Sequence, residues 1–133
     1  MKKIIFLVMV ALFSISMQSM AATAPSIINK SLCSVTVRLV CYNPTSCTAV
    51  SAPCAPVTVL PNGTAPLPTC SCSPYLTAYE ICWVPCPGIC VIIGNVTGPY
   101  PCASAPQGPV ALGTCLKCGA AKVFWDAGNL IIE

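Results

Sequence analysis

Twelve cysteines stand in a chain of 133 residues that contains no histidine. They fall at Cys33, Cys41, Cys47, Cys54, Cys70, Cys72, Cys82, Cys86, Cys90, Cys102, Cys115 and Cys118, and three groups are closely spaced: Cys70-Ser71-Cys72, Cys82-x3-Cys86-x3-Cys90 and Cys115-Leu116-Lys117-Cys118. Two close pairs could supply thiolates to zinc, and a C-x-x-C with an adjacent lysine could lower a thiol pKa for disulfide exchange. The expected compartment argues against both. Met1-Lys2-Lys3, the apolar run Ile4 to Phe13 and the small residues ending at Ala22 form a secretory signal pattern, so residues 1–22 are expected to be cleaved and 23–133 to be exported as a single disulfide-rich β domain. An even number of cysteines in an oxidising space is expected to form bridges, and no thioredoxin-like βαβ pattern surrounds Cys115 and Cys118. Structural disulfides are therefore expected, with no metal and no cofactor. Spacing leaves the connectivity open. Cys70 and Cys72 share one face of an extended segment and should reach different partners, while Cys41 and Cys47 flank a turn that a local bridge could staple.

Other catalytic chemistry lacks its groups. Without imidazole there is no Ser-His-Asp or Cys-His arrangement. The acids are Glu80, Asp126 and Glu133 only, too few to suggest paired-carboxylate chemistry. Asp126 reads as a turn residue, and Glu80 as a strand position solvated or paired with Arg38. No nucleophile elbow, phosphate-cradling glycine loop or calcium loop is present, so an enzyme is not expected. Beyond the leader the cations are Lys30, Arg38, Lys117 and Lys122, scattered along the chain with no polybasic run for nucleic acid or anionic lipid. No later apolar run has membrane-spanning length. Tyr75, Tyr79 and Trp83 fall on one face of a strand. With Tyr42, Tyr100, Phe124 and Trp125 they offer either a sugar- or peptide-binding platform or material for a core, and core packing is the expected use. Asn29, Asn62 and Asn95 each begin an N-x-S/T sequon.

The elements that must position these groups are strands. Fourteen prolines and a scarcity of Glu, Gln and Lys leave no room for helices. Ser34 to Tyr42 alternates Val35, Val37, Leu39 and Cys41 against Ser34, Thr36, Arg38 and Val40, and Tyr75 to Val84 alternates again. Val57 to Leu60 should stop at the Pro61-Asn62-Gly63 turn. Ile89 to Thr97 is a β-branched run with a plausible bulge at Gly94, closed by Gly98-Pro99. Residues 99–109 read as a loop, Val110 to Leu112 as a strand, and Lys122 to Ile132 as a hairpin turning at Asp126-Ala127-Gly128. Six or seven short strands at this spacing predict an all-β fold: a small disulfide-rich antiparallel β-sandwich, immunoglobulin-like or jelly-roll-like.

Only 7% of the residues are charged, against about a quarter in typical domains. A near-neutral, β-rich surface suits contact with other copies better than solitary life. The expectation is a secreted, non-enzymatic structural protein, a self-assembling subunit of an extracellular fibre or cell surface, with the periplasm as an alternative destination. The alternative function is a secreted binding module or small effector recognising a protein or glycan. Assembly is expected through strand edges at the termini, Ile27 and Ile28 at one and Leu130, Ile131 and Ile132 at the other. Nucleic acid and integral membrane insertion are not expected.

Overall fold

The computed structural model describes residues 23–97 and 101–133. The expected leader, the expected turn at Gly98-Pro99 and Tyr100 lie outside the described residues. Ten strands follow one another: β1 (Ser26–Asn29), β2 (Val35–Asn43), β3 (Thr48–Ser51), β4 (Val57–Val59), β5 (Thr64–Pro66), β6 (Leu76–Trp83), β7 (Cys90–Gly94), β8 (Val110–Cys115), β9 (Gly119–Asp126) and β10 (Asn129–Ile132). The two longest alternating segments of the sequence become β2 and β6, which pair antiparallel from Val35 opposite Trp83 to Tyr42 opposite Leu76. On the far side of β6 runs β7, and the other edge of β2 is shared by β4 at its Val35 end and β3 at its Tyr42 end. The second sheet has the order β5-β1-β10-β9-β8.

The protein is thus a small all-β, sandwich-like fold; the finer immunoglobulin-like or jelly-roll-like subtype does not follow from this strand order. Two expectations are corrected. There are ten strands among the described residues and not six or seven, because β1, β3 and β5 are only three or four residues long and too short to show a period. Nor is the pairing wholly antiparallel, since β1 runs parallel to β10, Ile27 opposite Leu130. The terminal hairpin turns on two residues, Ala127 and Gly128, both at positive φ, the conformation that matches strand twist in a tight hairpin. At the end of β4, Asn62 has φ 55° and the Gly63 amide donates to Leu60 O at 3.0 Å; a Cβ on Gly63 would stand 2.9 Å from that carbonyl.

Between the sheets lies one core built on Trp83, Ile27, Leu39, Ile81, Ile93, Leu112, Leu130 and Ile132. A smaller cluster, Tyr42, Ala78, Cys102 and Ala105, forms where part of the proline-rich 101–109 loop folds onto the β2–β6 sheet. That cover explains why strict alternation in β2 gives way to continuous burial from Leu39 to Tyr42.

All twelve cysteines are bridged: Cys33–Cys118, Cys41–Cys72, Cys47–Cys102, Cys54–Cys70, Cys82–Cys90 and Cys86–Cys115. Cys70 and Cys72 do take different partners. The local Cys41–Cys47 staple does not form, because each sulfur reaches a later segment that packs against β2 or the turn after it. Such bonds are the product of an oxidising environment.

Asn29 is a polar node inside this frame. It is fully buried, and its Nδ2 lies 2.8 Å from Cys33 O and 3.1 Å from both Val59 O and Leu60 O. Its Oδ1 accepts from the Ser31 amide and hydroxyl. One side chain therefore ties β1, the β1–β2 connection and the end of β4, and its sequon is closed to modification in the folded state. Replacing it would leave several buried groups without partners, each worth about 1–3 kcal/mol. Asn29→Ala is expected to lower stability by about 3 kcal/mol or more, read as a shift of the urea midpoint under oxidising conditions, whereas Asn62→Ala in the exposed turn should shift it far less.

Candidate functional site

Because β1, β6, β7 and β9 converge at one end of the sandwich, residues remote in sequence meet there. Pro25 precedes β1, Pro66 ends β5 and Leu67 follows it, Tyr79 lies in β6, Asn95 to Thr97 follow β7, and Trp125 lies in β9 next to its final residue, Asp126. Together with Thr69 they line a groove of about 590 Å³, within the size range of ligand pockets. None of the side chains lining it is charged.

Two aromatic rings set its inner wall. Trp125 meets Tyr79 edge-to-face, ring centroids 5.7 Å apart, and its Nε1 donates to Gly94 O at 2.8 Å. That bond crosses from one sheet to the other and fixes the indole. Trp83 makes the equivalent crossing at the opposite end, donating from Nε1 to Gly113 O at 2.8 Å, but it is wholly enclosed. Tyr79 is 6% exposed, and its hydroxyl has no hydrogen-bond partner among the described residues. Burial raises its pKa above the usual tyrosine value by disfavouring the phenolate. A tyrosine in the wall of an apolar groove, its hydroxyl without a partner among the described residues, offers a polar contact that a ligand can complete.

The expected aromatic face is divided by the structure. Trp83 belongs to the core and Tyr79 to both core and groove, while Tyr75 stands before β6 with its ring exposed. Trp125 is one of the aromatics the sequence offers to a binding platform, but Pro25, Pro66 and Val96, which join it here, come from three distant segments without a motif. The nearest sequence signal was the sequon at Asn95, whose residues 95–97 form one rim.

The cysteine chemistry does not survive as reactive chemistry. Cys115 and Cys118 bond to Cys86 and Cys33, so the C-x-x-C is no redox pair. Glu80 lies beside Cys82 and Cys90 at a spacing that could hold an ion, but the sulfurs are bonded to each other and the carboxylate pairs with Arg38 directly across the strands.

No family model, curated protein or solved structure matches the chain.

The terminal aliphatics occupy interior positions. Ile27, Leu130 and Ile132 are in the main core, Ile131 is buried outside it, and Ile28 is half-buried. Strand β1 is bonded to β5 and β10, and β10 to β1 and β9. The premise that the termini offer free edges is corrected: their backbone groups are used within the chain.

Since the Tyr79 hydroxyl makes no hydrogen bond among the described residues, Tyr79→Phe is expected to leave the unfolding midpoint at neutral pH unchanged or slightly raised. The alkaline behaviour follows from linkage. With the folded pKa above that of the unfolded chain, the unfolded state loses this proton first, so stability falls as pH rises above about 10. Unfolding followed at several pH values should show a smaller alkaline loss in Tyr79→Phe than in the parent.

Proposed function

We propose that the protein is a secreted, non-enzymatic binding module that captures an apolar, uncharged segment of a partner protein in the Tyr79–Trp125 groove. The observation that carries this reading is the buried Tyr79, whose hydroxyl has no hydrogen-bond partner among the described residues, in the wall of an otherwise apolar concavity. A charged ligand would be desolvated there without a counter-charge. A sugar would present many hydroxyls to a lining whose polar side chains, beyond Tyr79, are Thr69, Asn95 and Thr97. An extended peptide with apolar side chains and one acceptor for Tyr79 matches both the lining and the hydroxyl. Fixed aromatic walls also reduce the ordering cost of binding.

A second reading, a self-assembling extracellular or cell-surface subunit, is favoured by β3. All four residues from Thr48 to Ser51 are exposed, without charge or proline. Their outer edge has no strand partner among the described residues, and such an edge invites another chain. The site of assembly under this reading is β3, not the termini.

Selection of random peptides displayed on phage against the oxidised protein separates the two. Enrichment of uncharged apolar sequences is expected, with affinity falling at least tenfold in Val96→Asp, where an exposed rim residue gains a charge, and the unfolding midpoint unchanged. Failure to enrich any sequence, or equal binding by Val96→Asp, would overturn the groove reading. Concentration-dependent oligomers in sedimentation velocity that vanish in Val50→Lys would establish the second.

A further inference from the structure

The end of the sandwich opposite the groove carries a different surface. Four connections meet there: 30–34, 60–63, 84–89 and the β8–β9 turn. Their convergence is fixed by bonds already in the frame, since the Val84 amide donates to Ser34 O, Asn29 Nδ2 reaches both Cys33 O and Leu60 O, and Cys33–Cys118 and Cys86–Cys115 anchor the β8–β9 turn. Each connection holds out an apolar side chain. Leu116 is 102% exposed, Leu32 78%, Leu60 65% and Val84 45%. Single exposed leucines are ordinary, but four of the seven exposed large apolar residues among the described residues stand on connections of this one end, and such a concentration marks an interaction site.

Charge is gathered with them. Three of the four cations among the described residues lie at or near this end: Lys117 follows Leu116 in the β8–β9 turn, Lys122 stands in β9 and exchanges backbone hydrogen bonds with Glu133, and Lys30 opens the 30–34 connection with its Nζ 3.5 Å from the Glu133 carboxylate, which offsets its charge and leaves Lys117 and Lys122 as the cations without an ion pair among the described residues. The remaining cation, Arg38, is neutralised by Glu80 on the β2–β6 sheet. Asp126 lies at the groove end, next to the β9–β10 turn. The linear sequence shows no basic cluster because Lys30 is separated from Lys117 and Lys122 by seven strands.

We propose that this disulfide-anchored end docks on an anionic lipid surface, with Leu116, Leu32 and Leu60 entering the headgroup boundary and the lysines, Lys117 foremost, facing lipid phosphates. Apolar side chains on fixed turns, rimmed by lysine, satisfy both requirements of interfacial binding: buried apolar area and attraction to anionic headgroups. The covalent anchors hold the turns in place, so little ordering is needed on contact. Docking so placed leaves the groove at the far end open to water.

The test is flotation of the exported, oxidised protein, its N-terminus fixed by mass spectrometry, with vesicles of phosphatidylcholine alone or with about a third phosphatidylglycerol. Co-flotation with the anionic vesicles is expected, weakened by added salt, reduced at least tenfold by Leu116→Asp and several-fold by Lys117→Glu. Both substitutions are at exposed positions, and near-ultraviolet circular dichroism should show an unchanged fold. Absence of flotation, or equal flotation by the parent and Leu116→Asp, would overturn the proposal. So would a dimer that Leu116→Asp converts to monomer without any vesicle binding, which would make a second copy the occupant.

Discussion

The ends of this sandwich are held by covalent ties between segments far apart in the chain. Its strands are three to nine residues long, prolines interrupt the connections, and few charges are available for surface pairing. Short ladders of this kind give each loop little reason to stay on its neighbour. Cys86–Cys115 joins the β6–β7 loop to the end of β8 in the other sheet, and Cys33–Cys118 joins the β1–β2 connection to the β8–β9 turn. Closing loops of this length typically contributes about 2–4 kcal/mol for each bridge, without simple additivity. The indoles of Trp83 and Trp125 add a polar tie across the sheets at either end. With these ties in place the ends can carry exposed apolar groups and an open groove.

The two ends are chemically unlike. One gathers prolines, threonines and two aromatic rings around an uncharged hollow, and the other gathers leucines and lysines on anchored turns. Strand β2 spans nine residues, about 26 Å when extended, so the two surfaces can act without touching.

Much of the frame was legible in the sequence. Period-two patterning in β2 and β6 located the central pair, Pro61-Asn62-Gly63 located a turn, and the even cysteine count pointed to a bridged domain. Arg38 and Glu80 do meet across the strands. The rest was hidden for definite reasons. A strand such as β5, three residues with a proline, has no period to detect, and β1 is recognisable as a strand only through β5 and β10. The cysteine pairing depends on which loops the topology brings together, and the spacing carries none of that. Exposed leucines in loops look like noise until the loops are seen to share an end, and Tyr79 reads as core because it is core, with only its position against Trp125 and Val96 giving it a second face.

The parallel contact of β1 with β10 bears on the order of events in biogenesis. Ile27 finds Leu130 across 103 residues, whereas β6 meets β7 through a short hairpin that Cys82–Cys90 spans with eight. A chain emerging from its N-terminus therefore presents β1 long before its parallel neighbour exists, and the hairpins in between can form and oxidise first. Non-local pairing of this type lengthens the search for the native state. The β5-β1-β10-β9-β8 sheet is completed only when both ends of the domain are free of the machinery that makes it, so its first-made strand is placed among the last.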